Sequence, residues 1–171
     1  MFAVWLTGLP ASGKSTLAKA LEAQLRQRGL TPAVLESDEL RRVFTPRPSY
    51  TEEERDTFYF SLAWVGALLV SHGVPVVFDA TANRRSYRDR ARALIPRFAE
   101  ILVDCPPEVC AARDPKGLYR QARQGGTATL PGAQVEYEAP LHPDLVVRGE
   151  ADPLEEVRRI TSLLSSRGYL A

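Results

Sequence analysis

The sequence predicts an α/β fold of three layers, with a mostly parallel five-stranded sheet and helices on both faces. Short apolar segments alternate along the chain with longer segments whose apolar residues recur at helical spacing, a pattern typical of parallel sheets. A glycine-rich segment also joins the first predicted strand to the first predicted helix. The chain has 171 residues, which suits one domain spanning residues 1–171.

Each element is predicted from its local pattern. The short apolar runs predict strands at Phe2–Leu6, Pro32–Leu35, Val74–Phe78, Ala99–Val103 and Leu145–Val147. Helical periodicity predicts helices at Ser15–Arg28, Asp38–Phe44, Glu52–Ser71, Ser86–Arg97, Pro107–Arg113 and Pro153–Arg167. In the first of these helices, for example, Leu17, Leu21 and Leu25 fall on one face. The crossovers between parallel strands are expected to be right-handed.

Two segments interrupt this alternation. Thr45–Tyr50 is a proline-rich connection before a long helix, and Gln124–Pro143 is rich in glycine and proline without any periodicity. Loops of that length inside one domain are usually functional, and above a nucleotide site they commonly act as lids. We therefore expect a lid at about residues 114–140.

The glycine-rich segment fits the P-loop pattern G-x-x-x-x-G-K-[ST] without a mismatch. Its glycines allow backbone N–H groups to surround phosphate oxygens, and the helix that follows offers its positive end to the same anion. The lysine brings positive charge to the β- and γ-phosphates, and the serine hydroxyl can ligate Mg²⁺. The sequence thus predicts ATP and Mg²⁺ as cofactors, with a nucleotide site formed by Gly8, Leu9, Pro10, Ala11, Ser12, Gly13, Lys14, Ser15 and Thr16.

Phosphoryl transfer also needs a base beside the acceptor hydroxyl, and two carboxylates follow predicted strands. Asp38 comes after the second strand, where it can accept the proton or hold Mg²⁺; it could instead cap the next helix. Asp79 directly follows the third strand, where it can organise the metal or orient a substrate; a turn or cap is its structural alternative. Together with Lys14, these are the predicted catalytic residues.

Basic residues near the same strand ends could bind an anionic acceptor. Arg41 lies one helical turn after Asp38, and Arg85 is the arginine nearest the end of the third strand. Most arginines that follow Arg85 are expected to form a solvated face. On the lid, Lys116 is predicted to bind the acceptor, and Arg113 could neutralise phosphate charge or stack on adenine.

Charge and composition argue against two classes of binding partner, nucleic acids and membranes. The net charge of +1 makes nucleic acid an improbable ligand, and no apolar run approaches the length of a membrane span. The first residues lack the basic region of a signal peptide, so a cytoplasmic location is expected. Cys105 and Cys110 are expected to be reduced and partly buried, because their spacing suits neither a zinc site nor a redox pair.

Several segments resemble adenylylsulfate kinases: Trp5–Leu9, Asp104–Cys110, Arg113–Tyr119, Ala122–Arg123 and Tyr137–Pro140. The resemblance implies a P-loop kinase fold, ATP, Mg²⁺ and phosphorylation of the 3′-hydroxyl of adenylylsulfate, a small nucleotide substrate. It also implies a possible homodimer. Asp38 and Arg41 match the family's acidic and arginine positions after the second strand, and Arg85 matches an acceptor-binding arginine after the third.

The middle of the chain departs from that family. Glu39 and Phe58 stand where the family has asparagine, Phe60 where it has arginine, and Leu130 where it has the lid phenylalanine that helps to sandwich the acceptor adenine. A negative charge at Glu39 would suit a sulfate–phosphate anhydride poorly. Phe58, Phe60 and Trp64 are expected in the core because of their helical spacing, with an aromatic clamp on the acceptor as the alternative.

This middle third is similar to small P-loop kinases that include polynucleotide 5′-kinases, with the segments Ser37–Arg41 and Asp79–Arg85 carrying the likeness. The first acidic residue is the general base there, and the arginine three residues later holds an acceptor phosphate. The leading hypothesis is an adenylylsulfate kinase. The alternatives are a kinase of another hydroxyl, on a nucleic-acid 5′-end, a nucleoside or a small metabolite, and a nucleotide-binding regulatory module without turnover.

Overall fold

The computed structural model of the chain describes residues 1–125 and 130–170. Its centre is a sheet with strand order β2-β3-β1-β4-β5, in which all four pairings are parallel. The strands are β1 (Ala3–Thr7), β2 (Ala33–Glu36), β3 (Val76–Asp79), β4 (Phe98–Asp104) and β5 (Leu145–Arg148). The predicted α/β architecture with a five-stranded sheet is therefore confirmed.

The described helices are α1 (Lys14–Gln27), α2 (Ser37–Phe44), α3 (Glu52–Ser71), α4 (Arg85–Leu94), α5 (Pro107–Arg113), α6 (Leu118–Arg123) and α7 (Pro153–Ser166). All six predicted helices are present, and α6 is an additional short helix within the predicted lid. Helix α4 ends three residues before the predicted Arg97. Ile95 is extended there, because the proline at position 96 disfavours helical geometry in the residue before it.

Each face of the sheet is covered by its own apolar cluster. Val4 and Leu6 of β1 point into a cluster with α1 and α7, whereas Ala3 and Trp5 point into a cluster with α3 and α4. Trp5 is fully buried, its ring stacks on Phe78 at a centroid distance of 4.4 Å, and its indole N–H donates to the Ala80 carbonyl at 3.0 Å. This packing fixes the end of β1, which the P-loop follows, and the end of β3, where Asp79 is the last residue.

Helix α3 presents two different faces. Phe58 is buried against the sheet, as predicted, but the prediction of a core position is wrong for Phe60 and Trp64, which are 49% and 52% exposed. Both lie on the side of α3 that faces away from the sheet, because two or six residues of helix rotate a side chain far from the direction of Phe58. Gly66 allows α3 to cross β3 closely, since a Cβ there would lie 2.1 Å from the Phe78 ring.

Arg88 on α4 is buried rather than solvated, which contradicts the expected basic face at this position. Its guanidinium donates to the Glu100 carboxylate at 2.5 Å and to the Glu138 carbonyl at 2.6 Å, and it also donates to the Ala82 carbonyl. A buried charge persists only with such partners. Arg88 therefore ties the end of the predicted lid, at Glu138, to the β3–α4 turn.

Among the described residues, no helix has the length and apolar character needed to span a bilayer.

Candidate active site

A cavity of about 540 Å³ opens where β1, β2 and β3 end. This volume lies within the range of ordinary ligand sites. The predicted site residues that line it are Pro10, Ala11, Gly13, Lys14, Ser15, Thr16, Asp38, Arg41, Asp79, Arg113 and Lys116. Most of the site predicted from separate stretches of sequence is thus brought together at one edge of the sheet.

The P-loop has the curled backbone that the motif requires. Gly8 and Gly13 have φ values of 153° and 105°, and Ala11 has a left-handed φ of 62°. Gly8 lies beneath the loop, where a Cβ would be 2.5 Å from the Val103 carbonyl oxygen. Alternating conformations of this kind point backbone N–H groups towards one centre and form an anion-binding concavity. The loop therefore fits the polyphosphate of a nucleotide.

The side chains of Lys14, Ser12 and Leu9 in the P-loop make three different kinds of contact. The Lys14 ammonium donates to the carbonyls of Gly8 and Leu9 at 3.0 and 2.7 Å. Ser12 is buried, and its hydroxyl has no hydrogen-bond partner among the described residues. Leu9 instead packs towards the lid, since a Cβ at Gly132 would lie 2.4 Å from its side chain. Lys14 thus has loop carbonyls as its partners, and phosphate oxygens would be stronger ones.

Lys14 and Asp79 share a buried, charged environment. Burial lowers the pKa of Lys14 to about 8, and the nearby Asp79 carboxylate opposes this shift. Burial likewise raises the pKa of Asp79, opposed by a hydrogen bond from Ser15 and by the Lys14 charge. Ser15 and Asp79 are therefore close enough to act on the same ion.

Mg²⁺ fits this pair because it usually takes only one or two protein oxygens and completes its shell with phosphate oxygens and water. The described residues contain no cluster of three or more metal-binding acidic, histidine or cysteine side chains. A site that depends on nucleotide phosphates does not need such a cluster.

Asp38 lies in the first turn of α2, where its side chain is 55% exposed. The Lys116 ammonium donates to its carboxylate at 2.6 Å and lies 3.6 Å from Glu36. The alternative role of Asp38 as a helix cap is wrong, because Glu36 occupies the N-cap position and makes no side-chain cap bond. Asp38 is thus directed at the cavity and not at its own helix.

Arg41 lies one turn along α2 and is surrounded by aromatic rings. Its guanidinium carbon lies 3.9 Å from the centroid of Phe58, 5.6 Å from that of Tyr50 and 5.9 Å from that of Tyr59. Tyr50 and Tyr59 line the cavity with Arg41. A planar cation in such a setting is suited to an anionic ligand.

Glu39 and Phe58, two residues at which the sequence was expected to depart from the resembling family, have clear positions in the structure. Glu39 is exposed and does not line the cavity, so its charge is directed away from the site. Phe58 does not line the cavity, and its ring lies against the Arg41 guanidinium.

Arg55 is a site residue that the sequence reasoning missed. It is buried and lines the cavity, with its guanidinium donating to the Tyr50 carbonyl at 3.3 Å and to the Asn83 side chain at 3.4 Å. In the sequence Arg55 follows three glutamates at the start of α3. An arginine in that position is ordinarily expected to be solvated and to pair with its acidic neighbours. Only the burial of this turn of α3, which the sequence does not show, distinguishes Arg55 from an ordinary solvated arginine.

Arg85 does not line the cavity. It begins α4, its guanidinium donates to the Ala139 carbonyl at 3.1 Å, and its backbone N–H donates to the Glu138 carboxylate at 2.9 Å. The geometry therefore gives no support to the predicted acceptor-binding role, because the side chain is turned towards the end of the predicted lid.

The other end of the cavity is formed by α5 and the loop after β5. Arg113 ends α5, donates to the Gly149 carbonyl at 2.9 Å and lines the cavity beside Arg148 and Pro153. A planar arginine in an open cleft can stack on a nucleotide base.

Cys105 and Cys110 are buried free thiols, as predicted, and burial raises the pKa of Cys110 to about 12.

The described parts of the predicted lid contact the P-loop. The Tyr119 hydroxyl of α6 donates to the Pro10 carbonyl at 3.0 Å, and Leu130 is buried in a small cluster with Tyr119 and the two cysteines. At its far end, the Tyr137 hydroxyl hydrogen-bonds with that of Thr7 at 3.0 Å. The predicted lid also includes residues 126–129, which lie outside the described residues.

Comparisons with known proteins agree with this geometry. The family model for adenylylsulphate kinase matches residues 1–148, which include the middle third. An adenylyl-sulfate kinase of Rippkaea orientalis is 40% identical over 169 residues, covering 98% of this chain and 93% of that protein. The APS kinase of Mycobacterium tuberculosis, solved in complex with AMPPNP and APS, superimposes with a TM-score of 0.90 at 32% identity, covering 96% of this chain and 97% of that one.

More distant structures share the fold alone. Shikimate kinase from Aquifex aeolicus superimposes with a TM-score of 0.59 at 18% identity, covering 98% of each chain. A P-loop kinase fold, a cavity that joins the P-loop to Asp38 and Arg41, and a family match over most of the sequence lead to one conclusion: the chain belongs to the adenylylsulphate kinase family.

Proposed function

We propose that this protein transfers the γ-phosphoryl group of ATP to the 3′-hydroxyl of adenylylsulfate, forming 3′-phosphoadenylylsulfate and ADP. The observation that carries the proposal is that Lys14 of the P-loop and the pair Asp38 and Arg41 line one cavity. Phosphoryl transfer is catalysed mainly by positioning and charge stabilisation, and both require donor and acceptor groups to share a site.

The donor half of the site is assigned to the P-loop and α5. Backbone N–H groups of residues 8–16 would surround the phosphates, Lys14 would hold charge at the β- and γ-positions, and Arg113 would lie against the base. The Ser15 hydroxyl would hold Mg²⁺, and Asp79 would orient the ion. Asp38 would be a second ligand of Mg²⁺ in the alternative in which its carboxylate serves the metal. When bound, Mg²⁺ neutralises charge on the phosphates.

The acceptor half is assigned to α2, α3 and the lid. Asp38 would accept the proton of the 3′-hydroxyl as its oxygen attacks phosphorus, while Arg41 and Arg55 would bind the anionic group of adenylylsulfate. Lys116 would exchange its contact with Asp38 for substrate oxygens. This exchange would free the Asp38 carboxylate to accept the proton.

The finer statements about partners remain predictions. A homodimer is expected from the family resemblance, and sedimentation equilibrium of the purified protein measures it. The cytoplasmic location is likewise an expectation from the sequence.

The direct test is ADP formation by purified protein with ATP, Mg²⁺ and a panel of alcohols: adenylylsulfate, an oligonucleotide 5′-end, a nucleoside and small metabolites. We expect saturable turnover with adenylylsulfate and none with Lys14→Ala. Turnover that requires a different alcohol would overturn the acceptor assignment and leave the fold assignment intact.

A further inference from the structure

The Arg41 side chain is held by a ring and not by a hydrogen-bonded ion pair. Its guanidinium carbon lies 3.9 Å from the Phe58 ring centroid, well within the range of a cation–π contact. Its Nη1 atom is buried, has no hydrogen-bond partner among the described residues, and lies 3.5 Å from a Glu54 carboxylate oxygen.

Glu54 is already occupied by other donors. Its carboxylate accepts from the Ser49 backbone N–H and hydroxyl, both at 2.6 Å, and from the Tyr50 N–H at 3.2 Å. The Ser49 hydroxyl is the main cause that holds the pKa of Glu54 below its ordinary value. Glu54 therefore organises the segment before α3, and Arg41 keeps donor capacity for a ligand.

Phe58 itself has little freedom to move. It is 1% exposed, meets Tyr59 edge-on at a centroid distance of 5.2 Å, and lies 6.3 Å from Phe44 of α2. A ring packed between α2 and α3 fixes the plane of a guanidinium stacked upon it, and the N–H groups then project from the edge of that plane.

We propose that Phe58 is a positioning residue for acceptor binding: its ring fixes the Arg41 guanidinium plane so that the N–H groups meet the anionic phosphosulfate group of the acceptor. This inference rests on the proposed function, since it takes Arg41 to contact adenylylsulfate. Phe58 does not line the cavity, so it acts through Arg41 alone.

The test compares Phe58→Leu, which keeps an apolar side chain but removes the aromatic face, with the wild-type enzyme. We expect KM for adenylylsulfate to rise about 5- to 30-fold, the loss expected for a desolvated cation–π contact, while KM for ATP changes little. Phe98→Leu is the matched control, because Phe98 belongs to the same apolar cluster and also lies beneath an arginine, Arg92, at 5.0 Å, away from the site.

A double-mutant cycle with Arg41→Lys separates positioning from general loss of structure. Lysine keeps the charge but lacks the planar group that stacks. We expect Arg41→Lys to raise KM for adenylylsulfate less in the Phe58→Leu background than in the wild type, by about the factor lost through Phe58→Leu.

Strictly additive effects, or equal rises in KM for ATP and for adenylylsulfate, would overturn the inference. Calorimetric binding of adenylylsulfate keeps this outcome distinct from failure of the proposed function. Wild-type protein that binds adenylylsulfate without phosphorylating it would refute the proposed function. The same double-mutant cycle, measured as Kd for adenylylsulfate by calorimetry, would then decide the role of Phe58. Wild-type protein that does not bind it would refute both.

Discussion

Gly149, directly after β5, supports the P-loop from below. A Cβ at this position would lie 1.9 Å from the Ser12 carbonyl oxygen and 3.1 Å from the Cys105 side chain. The first contact is with backbone, so in Gly149→Ala either the P-loop or the loop after β5 must move by more than an ångström. Overpacking of this kind costs about 1–3 kcal/mol.

If that strain falls on the P-loop, ATP affinity should drop by about 5- to 150-fold, since each 1.4 kcal/mol corresponds to about tenfold. The assay is the Kd for ATP with Mg²⁺ by calorimetry, together with the free energy of unfolding in urea. Gly66→Ala is the matched control: it makes the same change at a glycine without a left-handed φ, and its new Cβ meets the Phe78 ring away from the site. It should lower stability and leave the Kd unchanged. Wild-type ATP affinity in Gly149→Ala would refute the reasoning.

Three further expectations follow from the site and the core. Raising the pH from 7 to 9 should weaken ATP binding by about tenfold, because Lys14, with a pKa of about 8, must then take up a proton to bind phosphate; Lys14→Met should give a flat Kd profile. Asp38→Asn should lower kcat by about 10²- to 10⁴-fold and leave the Kd for ATP intact, and unchanged turnover would remove Asp38 from the mechanism. Arg88→Leu strands the buried Glu100 and should cost about 3–5 kcal/mol of unfolding free energy, against less than about 1 kcal/mol for the exposed pair lost in Arg90→Leu; equal losses would contradict this difference.

The fold was largely accessible from the sequence because its signals are local. Each strand is a short apolar run, and helices such as α1 have a periodic apolar face, so local spacing located most of the elements. The nucleotide half of the site was accessible for a similar reason: the P-loop motif is contiguous, and its function depends on backbone geometry that glycine determines.

The acceptor half depends on contacts between distant elements, and there the prediction was incomplete. Arg85 and Arg55 carry the same charge and lie near predicted strand ends or loops, but the Arg85 side chain on α4 is turned towards Glu138 and Ala139, whereas Arg55 on α3 lines the cavity. The exposure of Phe60 and Trp64 could not be predicted for the same reason, since α3 has no charged residue after Asp56 to reveal which side meets the sheet. Tertiary packing, which no local pattern encodes, decides these positions.

The central claim is that the acceptor is the 3′-hydroxyl of adenylylsulfate, and analogues lacking one hydroxyl test it most directly. Purified protein would be incubated with ATP, Mg²⁺ and either 2′-deoxy- or 3′-deoxy-adenylylsulfate, and phosphorylated product would be measured by mass spectrometry. We predict that the 2′-deoxy compound is phosphorylated and that the 3′-deoxy compound is not. Product from the 3′-deoxy compound, or from neither analogue when adenylylsulfate itself is also inert, would contradict the assignment.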